Sequence, residues 1–139
     1  MKIFLYYVGK PKNAHANAMA EDYVKRITHF ARCEMREITP RRFDPHEKHP
    51  TAQRILLDPA GKVLPSGHVA RLLEAAEMEG RDLVFVIGGT DGLPEEWKPR
   101  ASLLLSLSAM TFPHELARVM LSEQIYRAFT ILRGHPYPR

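Results

Sequence analysis

Glu123 and Arg127 are the first residues that could do chemistry. They interrupt a stretch that is otherwise Leu116, Ala117, Val119, Met120, Leu121, Ile125, Tyr126, Phe129, Ile131 and Leu132. Their spacing puts them on one helical face, where they can pair. Charges on an apolar stripe are costly unless paired. The pair reads either as a structural contact or as one that shapes a site or a subunit boundary. Glu115, Arg118, Ser122 and Arg133 fall on the other side, as one polar arc. Beyond the helix come His135, Tyr137 and Arg139. Such residues can move a proton near neutrality, stack on a base and grip a phosphate. They also read as a frayed end. Asp44, His46, Glu47 and His49 match no standard metal spacing and read as a solvated loop. Cys33 is the single cysteine, so no internal disulfide or four-cysteine zinc site can form. No Ser/His/Asp or Cys/His arrangement stands out.

Two loops carry a second kind of signal. Gly88 and Gly89 directly follow the apolar run Leu83-Val84-Phe85-Val86-Ile87. Glycine there permits a tight turn or a close approach of backbone to a ligand. The loop lacks the Gly-Lys-Ser/Thr ending of a P-loop and the spacing of a dinucleotide fingerprint. Leu107-Ser108-Ala109-Met110-Thr111-Phe112 mixes small polar residues with Met and Phe ahead of a helix. It reads as an apolar wall with backbone donors and acceptors, suited to a planar heterocycle. It also reads as an ordinary connection with Thr111 as the cap.

These residues need a frame. Strands are expected at 2–8, 34–38, 54–57, 83–87 and 103–107. Helices are expected at 14–32, 66–79 and 113–133, with a short one at 95–101. Asn13 is a plausible cap for the first. Residues 39–51, with three prolines and mixed charge, read as an exposed loop, and 58–61 as a turn. The alternation implies one α/β domain over 1–139, with a mostly parallel sheet flanked by helices. In such sheets ligands sit beyond the carboxyl ends of the strands, where loops 57–61, 88–94 and 107–113 should meet. A last helix apolar on nearly every side implies burial against its own sheet and against a second subunit.

The chain has 139 residues, 45% hydrophobic and 26% charged, with a formal charge of +4. That is the composition of an ordinary soluble globule, and it permits an acidic partner such as RNA without demanding one. No stretch approaches the length needed to cross a bilayer. The apolar start, MKIFLYYVG, is too short for a signal peptide, and a cytoplasmic protein is expected.

Several segments together resemble the ribosomal RNA large subunit methyltransferase H family, of the SPOUT class. They are Val8-Gly9-Lys10, Tyr23-x-x-Arg26, Leu57-Asp58-x-x-Gly61-Lys62 and Phe85-Val86-Ile87-Gly88-Gly89-x-x-Gly92-Leu93. The longest runs from Leu105 to His114 and continues to Arg118 and Glu123-Gln124-x-Tyr126-Arg127-Ala128. His135-Pro136-Tyr137 closes it. The likeness is continuous from about 81 to 137 and looser before.

The resemblance implies a SPOUT-type α/β fold with a deep C-terminal trefoil knot, and a homodimer built on the last helix. It implies S-adenosylmethionine held by Leu57, Gly88, Leu107, Ser108, Ala109, Met110, Thr111 and Phe112. It implies methylation of N3 of a pseudouridine in 23S rRNA, on the assembled ribosome, with no metal and no membrane. An imide N–H is a weak nucleophile until its proton leaves, so a base or stabilising cations are needed. The polar groups at hand are Arg118, Glu123, Arg127, His135, Tyr137 and Arg139. Arg118 and the tail are expected to position RNA, and Glu123 with Arg127 to shape the site. No base is assigned. Two departures stand out. Tyr137 is followed by Pro138 and Arg139 where the family usually has His and a basic residue. The chain also lacks the family's usual helix before the Leu-Asp strand. These leave two alternatives, a knotted RNA- or ribosome-binding protein without catalysis and a methyltransferase for a different RNA.

Overall fold

The computed structural model describes residues 1–137, and the expectation for Arg139 lies outside them. Five strands form one sheet: β1 (Lys2–Val8), β2 (Arg32–Ile38), β3 (Gln53–Val63), β4 (Leu83–Ile87) and β5 (Leu103–Ser106). Their order is β2-β1-β4-β3-β5, and every neighbouring pair is parallel. Parallel neighbours require crossover connections, which the helices supply.

The alternation of side chains along the strands makes two cores. Ile3, Leu5, Ile55, Leu83, Phe85, Ile87 and Leu105 face one way. They pack under α1 (Ala14–Ile27), α3 (Ser66–Glu79) and α4 (His114–Leu132). Tyr6, Leu56, Val84 and Val86 face the other way and meet Ile38, Ala52, Leu93 and Trp97. All five residues of β4 are buried, as a strand covered on both faces requires.

The second cover corrects the expected exposed loop at 39–51. That segment carries a one-turn helix, α2 (Pro45–Lys48), and buries Pro45 and His46. Phe43 and Ala52 join the same layer. Among the described residues no long helix lies on this face; the segment and a 3-10 turn at Glu95–Arg100 cover it. Two boundaries also shift. Helix α1 ends at Ile27 rather than 32, and β2 starts at Arg32, because Lys2 to Val8 recruit seven partners along its length. The Asn13 cap is present, its side chain accepting from the Ala16 N–H at 3.0 Å.

The turn expected at 58–61 is a bulge inside β3. Leu57 and Lys62 both stand opposite Leu105, so the four residues between them swing out of register. Gly61 makes this packing possible, since a Cβ there would lie 2.6 Å from the Leu104 carbonyl carbon.

Candidate functional site

The carboxyl ends of β3, β4 and β5 open onto a pocket of about 570 Å³. That volume is in the range of small-molecule sites. Leu57, Asp58 and Pro59 form one wall, residues 87–92 a second, and residues 105–114 with Ala117 the third. Leu57, Gly88, Leu107, Ser108, Ala109, Met110, Thr111 and Phe112 all line it.

Local chemistry fixes each wall. The Gly92 N–H donates to Gly89 O at 3.0 Å and folds the 88–92 loop back on itself. A Cβ on Gly88 would meet Gly92 backbone at 2.7 Å, so turn and pocket depend on the same glycine. The third wall is tied by two serines. Ser106 Oγ donates to Ser108 O at 2.7 Å, and Ser108 Oγ accepts from the Met110 N–H at 3.0 Å.

Sequence reasoning missed Asp58, Lys98 and Ser106. Asp58 Oδ1 accepts from the Ala60 N–H at 2.9 Å, and Oδ2 pairs with Lys98 Nζ at 3.0 Å. The Ala60 N–H and then Lys98 hold its carboxyl below the usual range, against the opposing effect of burial. The bulge is thereby tied to the 3-10 turn at Glu95–Arg100. Asp-Pro after a strand was the available signal, since Asp bonds the backbone two residues on.

No Lys or Arg lines the pocket among the described residues, whereas Asp58 and Asp91 do. Such a wall does not suit a polyphosphate. Apolar sides and carboxylates suit an uncharged heterocycle joined to a cationic group.

The C-terminal polar residues gather elsewhere. Arg127 Nη2 donates to Glu123 Oε2 at 2.7 Å. Tyr137 Oη donates to the same oxygen at 2.9 Å and approaches Tyr23 Oη at 3.4 Å. The Arg127 guanidinium lies 5.1 Å from the Tyr137 ring centre, and Tyr126 meets that ring edge-on. Burial, then the bonds with Tyr23 and Glu123, push the Tyr137 hydroxyl up, so it stays a neutral donor. His135 is exposed, edge-on to Phe30. None of these residues lines the pocket.

Arg118 corrects the expected polar arc. It is 2% exposed, and Ser122 is fully buried. The Arg118 guanidinium lies 3.9 Å from the Tyr7 ring centre, and Nη1 donates to Met35 Sδ at 3.5 Å. Ser122 Oγ donates back to the helix carbonyls of Arg118 and Val119. The middle of the arc, Arg118 and Ser122, is therefore buried, while Glu115 meets the Lys12 and Asn13 N–H groups and exposed Arg133 pairs with Glu77 of α3. A planar guanidinium stacks on an aromatic face, which lets it be buried where an ammonium would not be. In this arrangement Arg118 offers RNA no surface and holds the end of β1.

Asp44, His46, Glu47 and His49 do not converge. Asp44 caps α2 and pairs with Arg100, His46 Nε2 contacts Trp97 O at 3.0 Å, and His49 Nε2 contacts Tyr6 Oη at 2.7 Å. Among the described residues no group of three His, Cys, Asp or Glu could hold a metal ion.

A five-stranded parallel sheet with its ligand pocket at the strand ends, closed by the loop that enters the last helix, defines an α/β small-ligand-binding protein. The "Predicted SPOUT methyltransferase" family model matches residues 1–138. The chain belongs to the SPOUT methyltransferases and, within them, to the ribosomal RNA large subunit methyltransferase H family. It is 63% identical over 139 residues to the protein of that name from Solibacter usitatus, covering 100% of both chains. It is 41% identical to the Chromobacterium violaceum protein of the same name, covering 100% of this chain and 99% of that one. Among solved structures, a probable methylase family protein from Haemophilus influenzae superposes with a TM-score of 0.61 at 10% identity. That match covers 99% of this chain and 70% of the other. A putative methyltransferase from Legionella pneumophila, solved with bound SAM, gives 0.53 at 15% identity over 92% of this chain and 66% of that one. These two likenesses speak to the fold.

Proposed function

We propose that this chain is an S-adenosylmethionine-dependent methyltransferase that methylates N3 of a pseudouridine in 23S rRNA, on the assembled ribosome. One observation carries the reading. The three loops that the sequence sends to the strand ends meet in one pocket, and all eight residues expected to hold the cofactor line it.

The residues fit that group. Leu57, Leu107, Met110 and Phe112 would flank its adenine, and the 107–112 backbone would meet its polar edge. Gly88 would leave room beside the methionine part. When bound, the cofactor supplies an activated methyl group. The chain supplies orientation and a wall without competing cations.

Two chains would complete the site. Leu116, Met120 and Ile131 lie on one face of α4 and are 47%, 40% and 52% exposed. Glu123 and Arg127 share that face by their spacing. Pairing two chains through it would bury the apolar residues and carry the Glu123–Arg127–Tyr137 group of one chain toward the pocket of its partner. There Arg127 and the tail, with His135 and Arg139, would position the RNA, while Tyr137 stays protonated. The knot implied by the family would lie where residues 107–113 pass beside the 88–92 loop. Among the described residues no helix is long and apolar enough to cross a membrane.

Calorimetric titration with S-adenosylmethionine tests the pocket. The wild type should bind one cofactor per chain, and Gly88→Arg should bind none while keeping its far-UV circular dichroism. Equal binding by both proteins would remove the pocket from the account.

A further inference from the structure

The pocket has a flank that the cofactor residues leave unused. β1 lies beside β4, with Tyr7 opposite Ile87, so the chain leaving β1 emerges next to the 88–92 loop. The two segments are close. A Cβ on Gly89 would lie 3.0 Å from Val8 O. Gly9 then turns the chain with φ +95°, a conformation side-chain-bearing residues rarely adopt.

Residues 10–13 do not run free into α1. Glu115 Oε1 accepts from the Lys12 N–H at 2.8 Å and from the Asn13 N–H at 3.0 Å. Glu115 follows His114, which lines the pocket, in the first turn of α4. One turn further on, Arg118 stacks on Tyr7. The start of α4 thus grips β1's exit at two points. Those two N–H bonds hold the Glu115 carboxyl below the usual range. Its charge is met by backbone, and Lys10 and Lys12 form no ion pair with a carboxylate among the described residues. Both lysines are exposed.

We infer that residues 9–12 form a phosphate-gripping rim of the pocket, with Lys10 and Lys12 as RNA-backbone contacts and Glu115 as the positioning residue that clamps them there. This rests on the proposed RNA-methylating function. The pocket wall holds no Lys or Arg among the described residues, and its Asp58 is already paired with Lys98, so the wall itself offers a nucleic acid backbone no cation. Beside the partner's tail, this rim supplies two further cations on a segment fixed at both ends. Holding them in place lowers the entropy lost when a phosphate is bound.

The test compares wild type, Lys10→Ala/Lys12→Ala, Glu115→Ala and Glu115→Gln. Each is assayed for binding to ribosomes lacking the modification across a salt series, for methyl transfer, and for cofactor affinity. Removing two phosphate contacts should flatten the log–log salt dependence of ribosome binding by about 1.5. At low salt the double variant should bind about tenfold more weakly or worse. KM should rise while kcat and cofactor affinity change little. Glu115→Ala should raise KM, and Glu115→Gln, which keeps an acceptor oxygen, should restore much of it. An unchanged salt slope and KM in the double variant would overturn the inference. A flattened slope in a protein that transfers no methyl would sink the catalytic reading and leave the rim standing. Failure of the wild type to bind ribosomes would sink both.

Discussion

Gly88 shows how little room a single residue can have. The contact a Cβ would make, 2.7 Å to Gly92 backbone, is with main chain that cannot rotate away. Gly88→Ala should therefore displace the 88–92 loop, cost about 1–3 kcal/mol of stability and weaken cofactor binding at least tenfold. Chemical denaturation and calorimetry measure the two effects. Binding at wild-type affinity would show that the loop adjusts. Arg118 makes a contrasting demand. Its guanidinium lies over the Tyr7 ring and donates to Met35 Sδ. Arg118→Ala should lose about 2 kcal/mol through the lost stack and stem packing, measurable as a lower Tm. A surface RNA contact would instead leave Tm unchanged and weaken methyl transfer alone. The glycine was legible because it directly follows a buried strand. Arg118 was not, because a helical projection places a charge on an arc without saying which neighbour covers that arc. The Glu123–Arg127 pair was legible from spacing alone, but Tyr137 as a further donor to Glu123 needed the fold.

At the scale of elements, the segment covering the second sheet face was least legible. Residues 39–52 show no periodicity, and their prolines and charges look like surface. The opposite face of β1, β3 and β4 nonetheless carries Tyr6, Leu56, Val84 and Val86, which must be covered. With no long helix there, the loop does it. His46 and His49 are drawn into that cover, and burial lowers the affinity of both rings for a proton. The sign follows. In the unfolded chain these histidines take up protons near the ordinary value of about 6.5; folded, they resist until a lower pH. The unfolded state then binds more protons, so stability is fully present above that value and falls as pH drops below it. The urea midpoint should decline between about pH 7 and 5, and His46→Gln should decline less. A flat midpoint would place these rings in water. The bulge in β3 was also hidden, because Asp58-Pro59-Ala60-Gly61 has the composition of a turn, and only pairing with β5 returns the chain to the sheet.

For the whole molecule, the apolar face of α4 is the feature a lone chain leaves unresolved. Leu116, Met120 and Ile131 stay exposed beside Glu123 and Arg127, although the rest of the helix is packed on α1 and α3. Met120→Glu should shift the chain from dimer toward monomer in sedimentation velocity and reduce methyl transfer, with cofactor binding kept. A variant that stays dimeric would move the interface off this face. The parallel sheet and the pocket at its strand ends were legible from the alternation of elements. The strand order was not, because local patterns do not state which strands become neighbours.

Methylation of the pseudouridine is read out by incubating the protein with tritiated S-adenosylmethionine and ribosomes lacking the modification, then mapping the labelled nucleotide. The wild type should label one pseudouridine of 23S rRNA, and Gly88→Arg should label none. Label on a different RNA, or none from a wild type that binds the cofactor, would contradict the proposed function.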